Sequence, residues 1–300
     1  MALAPPDNAL LRVAVIQLSC SWDLPANLDR AERLVREAAA RGARLVLLPE
    51  LFATPYFCIE QDPRYLELAE RFADSPLLRR FAALAGELQV VLPLSFFERD
   101  QHAFFNSLAM ADADGRLLGV YRKSHIPNGP GYQEKFYFSP GDTGFRVWQT
   151  RVGRVGVGIC WDQWFPESAR AMALLGAELL CYPTAIGSEP PPAPPVDSRR
   201  HWQRVQQGHA GANLMPLLAA NRYGLERAQG ATPVEITFYG SSFIADAQGA
   251  MLAEAPLSGD TILTADLDLA ALRRQRDGWF LFRDRRPDLY AGIASFAGKT

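Results

Sequence analysis

Apolar and polar positions alternate between two periods along this chain, and the alternation outlines most of its elements. Residues 11–18 form a β-branched apolar run that predicts a strand. Over 27–41 the apolar residues Leu28, Ala31, Leu34, Val35 and Ala38 recur at helical spacing, and Gly42 suits the C-cap. Residues 44–48 predict a short buried strand ending at Pro49, 76–88 a second helix and 90–95 another strand. Ala113, Asp114 and Gly115 make a hairpin turn between strands at 107–111 and 117–122. A Gly- and Pro-rich loop covers 123–143. Strands follow near 145–149, 154–159, 179–182, 217–220, 242–245, 251–255 and 261–265, with helices at 166–175 and 199–213. Helices thus alternate with strands and hairpins are interspersed, which predicts a mixed α/β sheet system with helices outside. The proline-rich stretch SEPPPAPPV (188–196) has strands of the same character on both sides, so it reads as a loop within one domain spanning 1–300.

Composition narrows the function classes. Of 300 residues, 48% are hydrophobic and 21% charged, with a formal net charge of -2, an ordinary globular balance. A nucleic-acid partner calls for a basic excess, which is lacking. No apolar run approaches the roughly 18 residues of a membrane span, and the first residues lack the basic and apolar regions of a signal peptide. Cys20, Cys58, Cys160 and Cys181 lie far apart without a CxxC pair, which favours reduced thiols and a cytoplasmic setting. The histidines 102, 125, 201 and 209 form no HExxH pattern, and no metal site is expected. GRVGVG (153–158) has its glycines in the wrong order for a dinucleotide fingerprint, and the serine-hydrolase and P-loop motifs are absent, so no cofactor is expected.

What remains is chemistry at strand ends. LVLLPE puts Glu50 past one strand, VYRKSHIP puts Lys123 at the end of another, and GVGICWDQWFP puts Cys160 at the end of a third. The glycines of the third predict close approach of a neighbouring backbone, and Pro166 with Glu167 predicts a helix start just after the cysteine. The three side chains can converge if their strands share a sheet edge. Each also has a plain reading: Glu50 as a surface carboxylate, Lys123 as a solvated terminus, Cys160 as a small apolar filler.

LVLLPELF, YRKSHIP and GICWD resemble the glutamate, lysine and cysteine motifs of the nitrilase superfamily of carbon–nitrogen hydrolases, and the likeness runs over roughly residues 11–270. Within it, GPGYQEKFYFSPGDTGF, CYPTAIGSEP and HWQRVQQGHAGANLMPLLAANR are most similar to the branch acting on N-carbamoylputrescine. The resemblance implies a four-layer α-β-β-α sandwich of two mixed sheets with outer helices, and homo-oligomers assembled from dimers. It implies Cys160 as nucleophile, Glu50 as general base, Lys123 as oxyanion stabiliser and proton donor, and Glu134 as a supporting carboxylate beside the lysine. The backbone N–H of Trp161 is then the second oxyanion donor.

The substrate is read separately. Trp161 and Asp162 follow the nucleophile, where some relatives acting on carboxylated substrates carry an arginine. An aromatic face with acidic groups suits a cationic alkylammonium tail. Glu189 is a candidate partner for that ammonium, and Tyr56 and Trp164 are candidates for the alkyl channel or for core packing. RRQRDGWFLFRDRRPDLY (273–290) is basic and aromatic but interrupted by acids. A tail from about residue 278 is therefore expected at an oligomer interface.

Overall fold

Alternation within single strands decides the architecture. In strand β1 (Leu11–Gln17) Val13 and Val15 point into one apolar cluster, while Ala14 and Ile16 point into another on the opposite face. β8 (Leu179–Pro183) divides in the same way: Leu179 and Cys181 face one cluster, Leu180 and Tyr182 a third. A strand buried on both faces must lie between two apolar layers. The computed structural model, which describes residues 10–191, 197–230 and 234–298, shows which layers these are.

The first sheet holds β14 (Thr261–Leu267), β1 and β2 (Leu45–Leu47), followed by β3 (Leu92–Asp100), β4 (Ala103–Ala111) and β5 (Leu117–Arg122). β2 joins β3 through Val91, whose amide donates to the Arg44 carbonyl at 2.8 Å and whose carbonyl accepts from Val46 at 3.0 Å. The second sheet has the order β13-β12-β9-β8-β7-β6. Its strands are β6 (Val147–Thr150), β7 (Gly153–Val157), β8, β9 (Leu217–Ala220), β12 (Phe243–Ala245) and β13 (Met251–Glu254). Both sheets are mixed, with β1 parallel to β2 and β7, β8 and β9 mutually parallel.

Val13, Val15, Leu45, Leu47 and Met110 of the first sheet meet Val155, Val157, Leu179, Leu218 and Ile244 of the second in one buried core. Each such side chain contributes roughly 1.5–3 kcal/mol on burial. Helices α1 (Leu24–Ala40) and α2 (Pro76–Leu88) cover the outer face of the first sheet, and α4 (Pro166–Leu174) and α5 (Arg199–Asn213) that of the second. The result is the four-layer α-β-β-α sandwich. Three of these helices begin where proline or a capping side chain allows it: Asp23 caps the amide of Ala26, Ser75 that of Leu78, and Pro166 opens α4.

Several elements escape the apolar pattern. The hairpin of β10 (Tyr223–Arg227) and β11 (Glu235–Tyr239) is short and partly exposed, and α3 (Glu134–Tyr137) is a single turn. Near the end, α6 (Leu269–Trp279) runs into the expected tail, where Trp279, Phe280, Leu289, Ile293 and Phe296 are exposed. Residues 192–196 of the proline-rich loop and 1–9 at the start lie outside the described residues. No helix among the described residues is long and apolar enough to cross a membrane.

Candidate active site

Glu50 and Lys123 come from the first sheet and Cys160 from the second, so the shared sheet edge expected from sequence is not what joins them. They meet across the sandwich, beyond the carboxyl ends of β2, β5 and β7. Two sheets packed face to face bring their strand ends together without the strands being neighbours.

Lys123 is wholly buried, and its Nζ donates to Oε1 of Glu50 at 2.9 Å and to Oε2 of Glu134 at 2.6 Å. Its backbone is fixed on both sides: its amide donates to the Asn106 carbonyl at 2.8 Å, and its carbonyl accepts from Gly141 at 2.8 Å. A Cβ at Gly141 would collide with the carbonyls of Arg122 and Lys123, so only glycine lets the loop close this tightly. Asn106 Nδ2 also donates to Glu50 Oε1 at 2.6 Å, which leaves Glu50 Oε2 buried without a hydrogen-bond partner. Glu50 and Glu134 are fully buried like Lys123, which removes the surface readings of Glu50 and Lys123. Burial alone would lower the Lys123 ammonium, but Glu134 and Glu50 outweigh it and hold the charge well above the usual lysine value. One lysine faces two carboxylates. Burial, with repulsion from Glu50, raises the Glu134 carboxyl to about 7 despite Lys123.

Cys160 opens a 3-10 turn over Cys160–Trp164 with φ of +42°, a left-handed conformation costly for a non-glycine residue. Asp162 holds that turn: its carboxylate accepts from the amides of Ile159 at 2.9 Å and His125 at 3.0 Å, and from the Tyr121 hydroxyl at 2.7 Å. His125 Nδ1 adds a contact at 2.7 Å. Asp162 is therefore occupied and completely buried, and the expectation that it faces a cationic tail is corrected. Gly158 also differs from expectation, since a Cβ there would meet the Tyr182 ring at 2.7 Å rather than another backbone. The Cys160 thiol is raised well above the ordinary thiol value, first by burial and then by Glu50, against the pull of Lys123 and a hydrogen bond from Thr184. A neutral thiol beside a carboxylate with a free oxygen, with a buried ammonium nearby, can ionise as it attacks a carbonyl.

Cys160 opens into a cavity of about 430 Å³ bordered also by Glu134, Tyr132, Trp161, Trp164, Glu189 and His201. Trp161 and Trp164 meet edge to face at 6.2 Å, and Trp164 packs on His201 at 5.0 Å. Tyr56 is not in this wall. It is 1% exposed, and its hydroxyl donates to Glu134 Oε1 at 2.7 Å, so it stands behind the carboxylate and not along an alkyl channel. Sequence reading missed Asn106, Thr184 and Tyr121, because a polar residue inside a strand or loop carries no local sign of its partner. Cys181 and Cys58 are core residues, and among the described residues no cluster of His, Cys, Asp or Glu could hold a metal ion.

Comparison with known proteins follows the same lines. The model of the carbon–nitrogen hydrolase family matches residues 12–277. The citrullinase of Francisella tularensis is 56% identical over 285 residues, covering 95% of this chain and 98% of the relative. The N-carbamoylputrescine amidase of Arabidopsis thaliana is 54% identical over 289 residues, covering 95% and 96%. The crystal structure of a carbon–nitrogen hydrolase from Helicobacter pylori superimposes with a TM-score of 0.89 at 40% identity, covering 96% of this chain and 99% of that one. With its sandwich fold, Cys160 at one cavity with Glu50 and Lys123 buried behind it, and these relatives along almost its whole length, the chain belongs to the carbon–nitrogen hydrolases of the nitrilase superfamily and is an amidohydrolase of C–N amide bonds.

Proposed function

We propose that the chain hydrolyses N-carbamoylputrescine to putrescine, carbon dioxide and ammonia, as the final step of a route from agmatine to polyamines. The observation that carries this reading is the charge of the cavity wall. Among the described residues bordering it, the carboxyl groups are those of Glu134, which Lys123 already pairs, and Glu189, and neither lysine nor arginine is present. An alkylammonium tail finds the Trp161 and Trp164 rings and the Glu189 carboxylate there, while a tail bearing a carboxylate would meet no cation beyond a protonated His201.

In this reading Glu50 Oε2 takes the Cys160 proton as Sγ attacks the ureido carbon. Lys123 and the Trp161 amide stabilise the oxyanion, and the departing amine takes up the proton. Water, activated by Glu50, then cleaves the carbamoyl thioester, and the carbamic acid released gives carbon dioxide and ammonia. No cofactor enters this scheme.

A second reading, citrulline as substrate, is favoured by the Francisella relative at 56% identity. N-carbamoylputrescine, citrulline and N-carbamoyl-β-alanine at equal concentration, with ammonia and amine release followed, separate the two. Strong preference for the first supports the cationic-tail reading; preference for citrulline replaces it. We also infer that the exposed apolar residues after 278 pack against a second copy of the chain in a cytoplasmic homo-oligomer. Truncation at 279 should then lower the molar mass measured by light scattering.

A further inference from the structure

Behind the carboxylates lies an ion pair that the scheme above does not use. Arg222 follows β9 and is fully buried. Its Nη2 donates to the carbonyl oxygens of Glu50 at 2.7 Å and Leu51 at 3.2 Å. Its Nη1 donates to the Thr54 carbonyl at 3.2 Å and to Oε1 of Glu226 at 2.9 Å. Oε2 of Glu226 accepts the amide of Tyr56 at 2.5 Å. The Tyr56 hydroxyl in turn donates to Glu134. One guanidinium and one carboxylate thus grip segment 50–56 at both ends. That segment carries Glu50 and the hydroxyl that orients Glu134.

Stability alone does not account for this choice of partners, because an apolar pair of similar volume is often as stable as a buried ion pair. The fork of a guanidinium matches a carboxylate, yet Arg222 grips the Glu50 backbone and leaves the Glu50 side chain alone. A guanidinium on that side chain would weaken it as a base, and Glu50 Oε2 is instead free of any hydrogen bond. The backbone also needs holding. Leu51 has φ of +49°, a conformation that persists only where its surroundings over-determine it. Ser95 Oγ takes the Leu51 amide at 3.0 Å, and Arg222 takes its carbonyl.

We propose that the Arg222–Glu226 pair is a positioning device for proton transfer, fixing Glu50 and, through Tyr56, Glu134 on either side of Lys123. The inference rests on Glu50 being the base, and Glu50→Gln tests that separately. Two variants test the pair. Arg222→Lys keeps the charge but lacks the fork, and Arg222→Met with Glu226→Gln removes both charges and strands neither. For each, kcat, KM and Tm are measured with N-carbamoylputrescine. The rate of Cys160 alkylation by iodoacetamide is followed by peptide mass spectrometry, a readout that needs no substrate.

Displacement of a base by about 1 Å costs on the order of 10²-fold in rate. The expected result is a loss of that size in kcat with KM little changed, and slower alkylation of Cys160. Folded variants with wild-type kcat and alkylation overturn the proposal. So does recovery of kcat on cooling well below Tm, or failure of both variants to fold, since either makes the pair structural. If Glu50→Gln itself retains turnover and alkylation, the assignment of the base fails, whatever the Arg222 variants do.

Discussion

Behind Cys160 stand Glu50, Lys123 and Glu134, none with exposed surface and each tied to its neighbours by hydrogen bonds of 2.6–2.9 Å. At the mouth of the same cavity stand Trp161, 40% exposed, and Glu189 and His201, also exposed. Among the described residues no hydrogen bond or ion pair holds the Glu189 carboxylate, and the rings meet their neighbours only edge on or tilted. Bond cleavage needs groups held within fractions of an ångström where water is excluded. Recognition of a flexible tail needs only area and a charge of the right sign. A family can therefore keep one end and vary the other, and relatives of almost equal identity bear the names of two different ureido substrates.

The contrast can be broken at either end. Cys160→Ala removes the proposed nucleophile and should lower turnover by about 10⁴-fold or more while circular dichroism and oligomeric state are retained; turnover well above that level would remove the covalent route. Lys123→Ala should reduce kcat by about 10²–10³-fold with a much smaller change in KM. A chiefly KM effect would move Lys123 from transition-state stabilisation to substrate binding. At the mouth the effects should be smaller and of the opposite kind. Glu189→Gln should raise KM for N-carbamoylputrescine by about two- to fivefold at unchanged kcat, as expected for a part-exposed ion pair. An unchanged KM would take Glu189 out of the tail site.

Stability should respond to pH through the closed end. Glu134 titrates at about 7 in the folded chain, against about 4.3 when unfolded. Between those values the folded chain binds the extra proton, so this group's contribution to stability falls as pH rises from about 4.3 to about 7 and is level outside that window. The Tm of Glu134→Gln, compared with that of the parent chain across the window, should show the parent losing ground as pH rises. Parallel curves would mean that Glu134 stays ionised throughout.

How much was legible differs by element. The helices over 76–88 and 199–213 coincide with the observed α2 and α5: Pro76 opens the first, and the second repeats buried positions at helical spacing at Trp202, Gln206, His209 and Asn213. The hairpin of β4 and β5 was equally visible at its glycine turn. β10 and β11 were not: Gly224 and the exposed Leu225 break the pattern in β10, and the alternation of β11, with Ile236 and Phe238 buried between exposed Glu235 and Thr237, lasts only five residues. At the site, the motif residues were legible by position. The shared-edge expectation failed because strand order and sheet membership are not written in local periodicity. Asp162 was misread for a related reason, as a carboxylate next to a nucleophile looks the same in sequence whether it faces a ligand or four donors.

By itself the sequence determined most of the strands and helices, a mixed α/β arrangement with helices outside, and which glutamate, lysine and cysteine stand at strand ends. These depend on spacing along the chain, where 2.0- and 3.6-residue periods act locally. Only the tertiary structure decided that two sheets bring those ends together, that one lysine serves two carboxylates, and that Tyr56 and Asp162 work behind the site. Such relations join residues as much as 172 positions apart, as Glu50 and Arg222 are. They depend on the packing of sheet on sheet, which fixes distances that no local pattern encodes.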